Sequence, residues 1–208
     1  MKQAAFLLLL LLPLNAAAGD WSVIATGHWL EKSGEDELEG VLGTNEADFD
    51  FEAGPGIGAG LLWQPSSQWA VELKASFARM DVQVRTRTSD AIFILDLGSV
   101  DVLPLTAIVQ YRPDLAGDWD PYIGAGVAHV ILDDLSIEGS DERVRFDSDT
   151  GLALAAGLDV ALSERWFLNF DLKYVPFETG SASESAFGTT GDVRLEPMLA
   201  SAGVRYRF

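Results

Sequence analysis

Apolar and polar positions alternate with a period of two along the last part of the chain. Met198, Ala200, Ala202, Val204, Tyr206 and Phe208 share one face of an extended segment, while Ser201, Gly203, Arg205 and Arg207 share the other. Successive side chains of a strand point to opposite faces. One face suited to hydrocarbon and one carrying two arginines is the pattern of a transmembrane strand whose other side lines a polar lumen. Seven further segments fit the same template, each long enough to cross as a tilted strand of about 9–11 residues. They run Asp20–Leu30, Phe51–Trp63, onward from Trp69, up to Tyr111, Pro121–Leu132, Thr150–Leu162 and Trp166–Phe177. The first puts Trp21, Val23, Ala25, Gly27 and Trp29 outward; the sixth does the same with Leu152, Leu154, Ala156, Leu158 and Val160. The predicted fold is all-β, an eight-stranded antiparallel transmembrane β-barrel.

The connections alternate in length. Short turns are expected at Gln64–Gln68, Asp114–Asp120 and Ser163–Arg165, and long loops over Glu31–Glu52, around Thr86–Asp96, over Asp133–Asp149 and over Glu178–Asp192. Bacterial barrels place short turns in the periplasm and long loops outside, so both termini are expected in the periplasm. Trp21, Trp63, Trp69, Tyr111, Trp166, Tyr206 and Phe208 gather near the short-turn end, as an interfacial aromatic belt does. Tyr206 and Phe208 resemble the signal by which the barrel-assembly machinery recognises outer-membrane strands. At the other end, Met1 and Lys2 precede the apolar run Ala4–Leu14 and the small residues Ala16 to Ala18. This is the pattern of a secretory signal peptide. Residues 1–18 are therefore expected to be cleaved and residues 19–208 to form the barrel domain.

Charge narrows the function. The chain has 32 acids against 14 bases, a net charge of −18, which argues against a nucleic-acid partner. With no cysteine, disulfides, thiolate chemistry and Cys-ligated zinc are excluded. The acids of Asp48–Glu52 and Asp133–Asp134 offer oxygen ligands, but no EF-hand spacing accompanies them, so they read as solvated loops and no metal or cofactor is expected. Two histidines are available for catalysis. A hydrolase needs a Ser beside a His that a third group orients. Ser22 shares the inward face of His28 but lies well below it, and His129 falls on the lipid face, so no catalytic residue is assigned and the chain is read as a non-enzyme.

The inward face divides by height. Toward the short-turn end it carries Glu72, Lys74, Asp159, Asn169, Asp171, Lys173, Arg205 and Arg207. The interior of a small barrel is just wide enough for side chains to fill, and isolated buried charges are costly. Glu72, Lys74, Asp159, Asp171, Lys173 and Arg205 are thus expected to pair as a periplasmic charge plug, with no continuous aqueous pore. Toward the outer end the same face turns apolar, with Leu30, Met80, Val130, Leu132, Phe177 and Leu199 at its centre. Apolar side chains facing a lumen break the usual rule for barrels. They form either a pocket for a hydrophobic ligand or a dry, filled core.

Several short runs, in order, carry a family resemblance. They are Leu103-Pro104-Leu105-Thr106 with Gln110-Tyr111, Pro121 to Gly126, Gly157 to Val160, Trp166 to Asn169, Tyr174 to Phe177, Glu196-Pro197 and Tyr206-Arg207-Phe208. Together they resemble the OmpW family of small outer-membrane proteins, including its alkane-import branch. The resemblance implies a barrel with a hydrophobic interior passage, in the outer membrane of a Gram-negative bacterium. Its partners would be outer-membrane lipid and small hydrophobic molecules moving passively. Proline cannot donate to a β-ladder. Pro104, inside the family-like run, is therefore the candidate lateral exit, although a strand proline also commonly marks where a strand emerges from a loop. The alternative functions are a structural or receptor barrel without transport and, ranked below it, a lipid-modifying enzyme.

Overall fold

The computed structural model describes residues 19–32, 47–52, 54–87, 92–115, 117–132, 135–136, 143–146, 148–182, 190–195 and 197–208. The expected signal peptide, residues 1–18, and most of the acidic first loop lie outside the described residues. Among the described residues thirteen strands follow one another: β1 (Asp20–Lys32), β2 (Ala47–Glu52), β3 (Gly54–Gln64), β4 (Trp69–Arg87), β5 (Ile92–Tyr111), β6 (Trp119–Leu132), β7 (Leu135–Ser136), β8 (Arg143–Phe146), β9 (Asp149–Ala161), β10 (Trp166–Tyr174), β11 (Phe177–Ala182), β12 (Thr190–Leu195) and β13 (Pro197–Arg207). Eight of them, β1, β3, β4, β5, β6, β9, β10 and β13, pair antiparallel in that order and close a barrel. Closure is made by β1, which lies between β3 and β13 with Val23 opposite both Leu61 and Tyr206. A closed barrel leaves no edge, and so satisfies the backbone where lipid cannot.

Burial is inverted relative to a soluble protein. Ile57, Leu73, Ile123, Leu152, Leu154, Phe170 and Val204 are exposed on the outside, while Glu72, Lys74, Arg112, Asp159, Asp171, Lys173 and Arg205 are buried within. At the short-turn end the aromatics pair across strands: Trp21 stacks on Trp63, Trp69 meets Tyr111 edge-on, and Tyr206 contacts both Trp166 and Phe208. The Phe208 N–H donates to the Trp21 carbonyl, so the last residue is tied to the first strand. The inward row of β3 is Gly54, Gly56, Gly58 and Gly60. A side chain at Gly56 would collide with the His28 ring and the Phe77 carbonyl, so glycine there is what leaves room for the His28 ring.

The ends away from the short turns differ from expectation. The loop expected around Thr86–Asp96 is mostly strand, because β4 and β5 stay paired as far as Arg87 opposite Ile92. At about 3.3 Å per residue the 19 residues of β4 reach roughly 60 Å, far more than a tilted strand needs to cross an apolar band about 25 Å tall. The hairpin therefore continues beyond the membrane. The expected second strand is split into β2 and β3, with one more residue between Glu52 and Gly56 than between their β4 partners Asp81 and Ala78. The expected seventh strand stops at Tyr174, since Pro176 offers no N–H to carry the ladder on. The stretches expected as the third and fourth long loops contain β7 paired to β8 and β11 paired to β8 and β12. Trp119 and Asp120, expected in a turn, begin β6.

Candidate functional site

The lower lumen holds one connected set of charges. Arg112 follows β5 and turns inward, where one guanidinium nitrogen donates to Asp120 Oδ2 at 2.6 Å and Asp159 Oδ2 at 2.7 Å, and another to Gln110 Oε1 at 2.7 Å. Gln110 passes the link on, its amide donating to Glu72 Oε2 at 3.1 Å. The opposite Glu72 oxygen lies 2.9 Å from Lys173 Nζ, which also contacts Asp171. Asp171 accepts from Tyr122 Oη at 3.0 Å and has Lys74 Nζ at 3.6 Å. Asn169 ties the set across, donating to Asp159 Oδ1 at 2.8 Å and Tyr122 Oη at 3.2 Å. Arg205 completes it, 3.0 Å from Asp159 Oδ2, with a bond to Ser22 Oγ and its guanidinium over the Phe167 ring.

All six residues expected in the plug are thus brought together. Four cations, Lys74, Arg112, Lys173 and Arg205, meet four carboxylates, Glu72, Asp120, Asp159 and Asp171. Below the network a polar recess of about 460 Å³, bordered by Gln64, Ser66, Asp114, Asp120 and Arg207, opens at the short-turn end.

Above the charges the inward side chains are apolar and pack on one another. Leu30, Met80, Val130 and Leu199 belong to one buried cluster with Val100, Val102, Ile108 and Val175, and Leu132 packs against it. Phe177 is placed as the first residue of β11, opposite Leu195. His28 faces inward between the two sections, while His129 is on the outer face with Nδ1 2.8 Å from Thr150 Oγ1.

Pro104 is buried, and the ladder beside it is interrupted. Pairing of β4 with β5 runs from Trp69 opposite Tyr111 to Ala75 opposite Leu105 and resumes at Ala78 opposite Val102. The two steps without pairing set Ser76 against Pro104 and Phe77 against Leu103. Both are the steps that an N–H at residue 104, aimed at the Ser76 carbonyl, would have closed. On its other side Pro104 keeps its place opposite Val130 of β6.

Comparison with known proteins agrees with this geometry. The profile of the OmpW family matches residues 30–208. The chain belongs to the OmpW family. It is similar to the uncharacterized outer-membrane protein y4mB of Sinorhizobium fredii, 33% identical over 114 residues that make up 54% of this chain and 50% of that protein. It is also similar to the outer membrane protein AlkL of Ectopseudomonas oleovorans, 30% identical over 118 residues, 54% of this chain and 49% of that one. The chain thus spans about half the length of the curated relatives it matches. The crystal structure of the outer membrane protein OprG from Pseudomonas aeruginosa shares the fold, with a TM-score of 0.69 at 20% identity, covering 92% of this chain and 97% of that one. This OmpW-family chain is an outer-membrane β-barrel.

Several residues central to the lumen of this OmpW-family barrel escaped the reading of the sequence. Arg112 is 1% exposed and, with Arg205, is among the largest fully buried side chains of the described residues. Gln110, Tyr122 and Asp120 share its network. The parity signal was present, since Gln110 and Tyr122 have the same parity as the inward Val102 and Val130 on their strands. Asp120 lay in what read as a turn, and Arg112 lay just past the end of the fourth expected strand.

Proposed function

We propose that this outer-membrane barrel gives small hydrophobic molecules a passive route from its outer end into the bilayer, leaving through the wall between β4 and β5 at Pro104. The observation that supports the reading most is the vertical order of the lumen, with an apolar section resting on a charge-paired one. An apolar solute finds like surroundings among Leu30, Met80, Val130, Leu132 and Leu199. To continue downward it would have to part buried ion pairs, and breaking one such pair costs about 3–5 kcal/mol. Leaving sideways meets a wall that already lacks a hydrogen bond. The plug of Glu72, Lys74, Asp159, Asp171, Lys173 and Arg205 accordingly serves as a floor that keeps ions out and turns apolar solutes aside.

The apolar cluster is closed, so a solute advances as side chains yield to it. Apolar contact contributes only about 25 cal/mol per Å², so binding is weak and broad, as suits a conduit. The test is uptake of a labelled alkane by cells with and without the protein. Leu132→Asp and Phe177→Asp should each cut the protein-dependent uptake severalfold in a barrel that still inserts. Uptake independent of the protein, or untouched by both substitutions, overturns the proposal and leaves a structural or receptor barrel.

A further inference from the structure

Between the apolar and charged sections, two side chains have no hydrogen-bond partner among the described residues. Thr26 Oγ1 and both ring nitrogens of His28 are buried and unpaired, and each residue is 6% exposed. Buried polar atoms in native proteins are nearly always paired, so each exception asks for a reason. Lys74 stands beside them and reaches a carboxylate only at 3.6 Å. The three belong to one spot. Thr26 lies opposite Gly58, and Gly58 opposite Ser76. A methyl group placed on Gly58 would be 3.0 Å from Thr26 Oγ1, 3.0 Å from Ser76 Oγ and 3.1 Å from Lys74 Cε. His28 sits one row above, over Gly56. Ser76 is also the residue that faces Pro104 across the interrupted ladder.

One cation of the network is held more loosely than the others. Lys74, Lys173, Arg112 and Arg205 are buried, as are Glu72, Asp159 and Asp171. The fourth carboxylate, Asp120, has a side chain 34% exposed, at the opposite end of the network. Asp120 is matched with Arg112 at that far end, so the network is balanced, and its least tightly paired cation is Lys74, 3.6 Å from Asp171. Donors predominate around it: the Lys74 ammonium, the Thr26 and Ser76 hydroxyls, and a His28 ring N–H.

We propose that these residues bind the head group of the solute, and that the barrel favours aliphatic monocarboxylates over bare hydrocarbons. This deepens the reading of the lumen above and rests on it. The carboxylate accepts from Lys74, Thr26 and His28, the strong charge-assisted kind of hydrogen bond. Its tail lies along the break between Ser76 and Pro104, flanked on the outside by Phe77 and Leu103. An alcohol would engage Thr26 and His28 and leave Lys74 as it is; an alkane would engage none of them.

The experiment is a titration of the isotope-labelled barrel, in lipid nanodiscs, with decanoate, decanol and decane. Decanoate should move the His28 ring and Lys74 side-chain NMR signals saturably, and decane should leave them in place. Thr26→Val, which keeps the shape beside Gly58, should weaken decanoate binding about tenfold, the size of one hydrogen bond to a charged group. Lys74→Met should weaken it further if the barrel folds. Decanoate and decane behaving alike, or Thr26→Val leaving decanoate unaffected, overturns the head-group site. Parallel uptake of labelled decane and decanoate separates the two readings. Decane entry that depends on the protein, without preference for decanoate, defeats this inference alone, whereas loss of both defeats the route itself.

Discussion

Arg112 reaches Asp120, Asp159 and Gln110 from a single guanidinium, whose central carbon lies 4.6 Å from the centre of the Tyr122 ring. A planar fork with five donors can satisfy several acceptors at once, where an ammonium cannot. Arg112→Ala leaves the fully buried Asp159 with Arg205 and Asn169 alone. It should lower the unfolding free energy by about 3–5 kcal/mol, read from guanidinium unfolding of the barrel in detergent. Arg112→Lys should recover part of that, and the alanine variant should raise ion conductance in planar bilayers. A loss below about 1 kcal/mol would place the strength of the floor elsewhere. The sequence disclosed Glu72, Lys74, Asp159, Asp171, Lys173 and Arg205 because each sits mid-strand, where parity assigns a face. It hid Arg112 because parity stops being readable one residue past Tyr111. Whether a residue beyond the strand turns inward depends on the carboxylates that await it, and those belong to strands distant in sequence.

Single strands carry their own lesson in Pro104. Its parity placed it inward, and the missing donor could be read from the residue type; what could not be read was which neighbour would lose the bond. The register answers this, because the break falls against Ser76 of β4 while pairing with Val130 of β6 continues. Pro104→Ala should return a donor to the Ser76 carbonyl and close the two open steps. The expected gain is about 0.5–1.5 kcal/mol of stability, with slower amide exchange at Ser76 and at residue 104. Unchanged exchange at Ser76 would mean that the gap is held by packing and not by proline. Strand ends were harder to read than strand centres. Val82, Val84 and Thr86 continue β4 beyond the membrane, into the stretch around Thr86–Asp96 that was expected as a loop. Outside the bilayer no lipid enforces alternation, so the pattern that marks a crossing strand fades while its hydrogen bonds go on.

For the molecule as a whole, eight crossings, the inverted burial and the aromatic girdle were legible because hydrocarbon on one side and a narrow lumen on the other constrain every second residue. The layering of the lumen follows from the same parity, read strand by strand. The direction proposed for a solute rests on no single strand, and it is the centre of the account: in from the outer end, out through the wall between β4 and β5. The chain has no cysteine, so a single engineered pair can staple that wall. Phe77→Cys with Leu103→Cys sets two thiols opposite each other across the break, at a spacing that cross-strand neighbours and disulfides share. The measurement is uptake of labelled decane by cells carrying the stapled barrel, before and after a membrane-permeant reductant. The account predicts that uptake falls to the level of cells without the protein while the disulfide is intact and recovers on reduction. Uptake that is the same with the staple closed or open would contradict it.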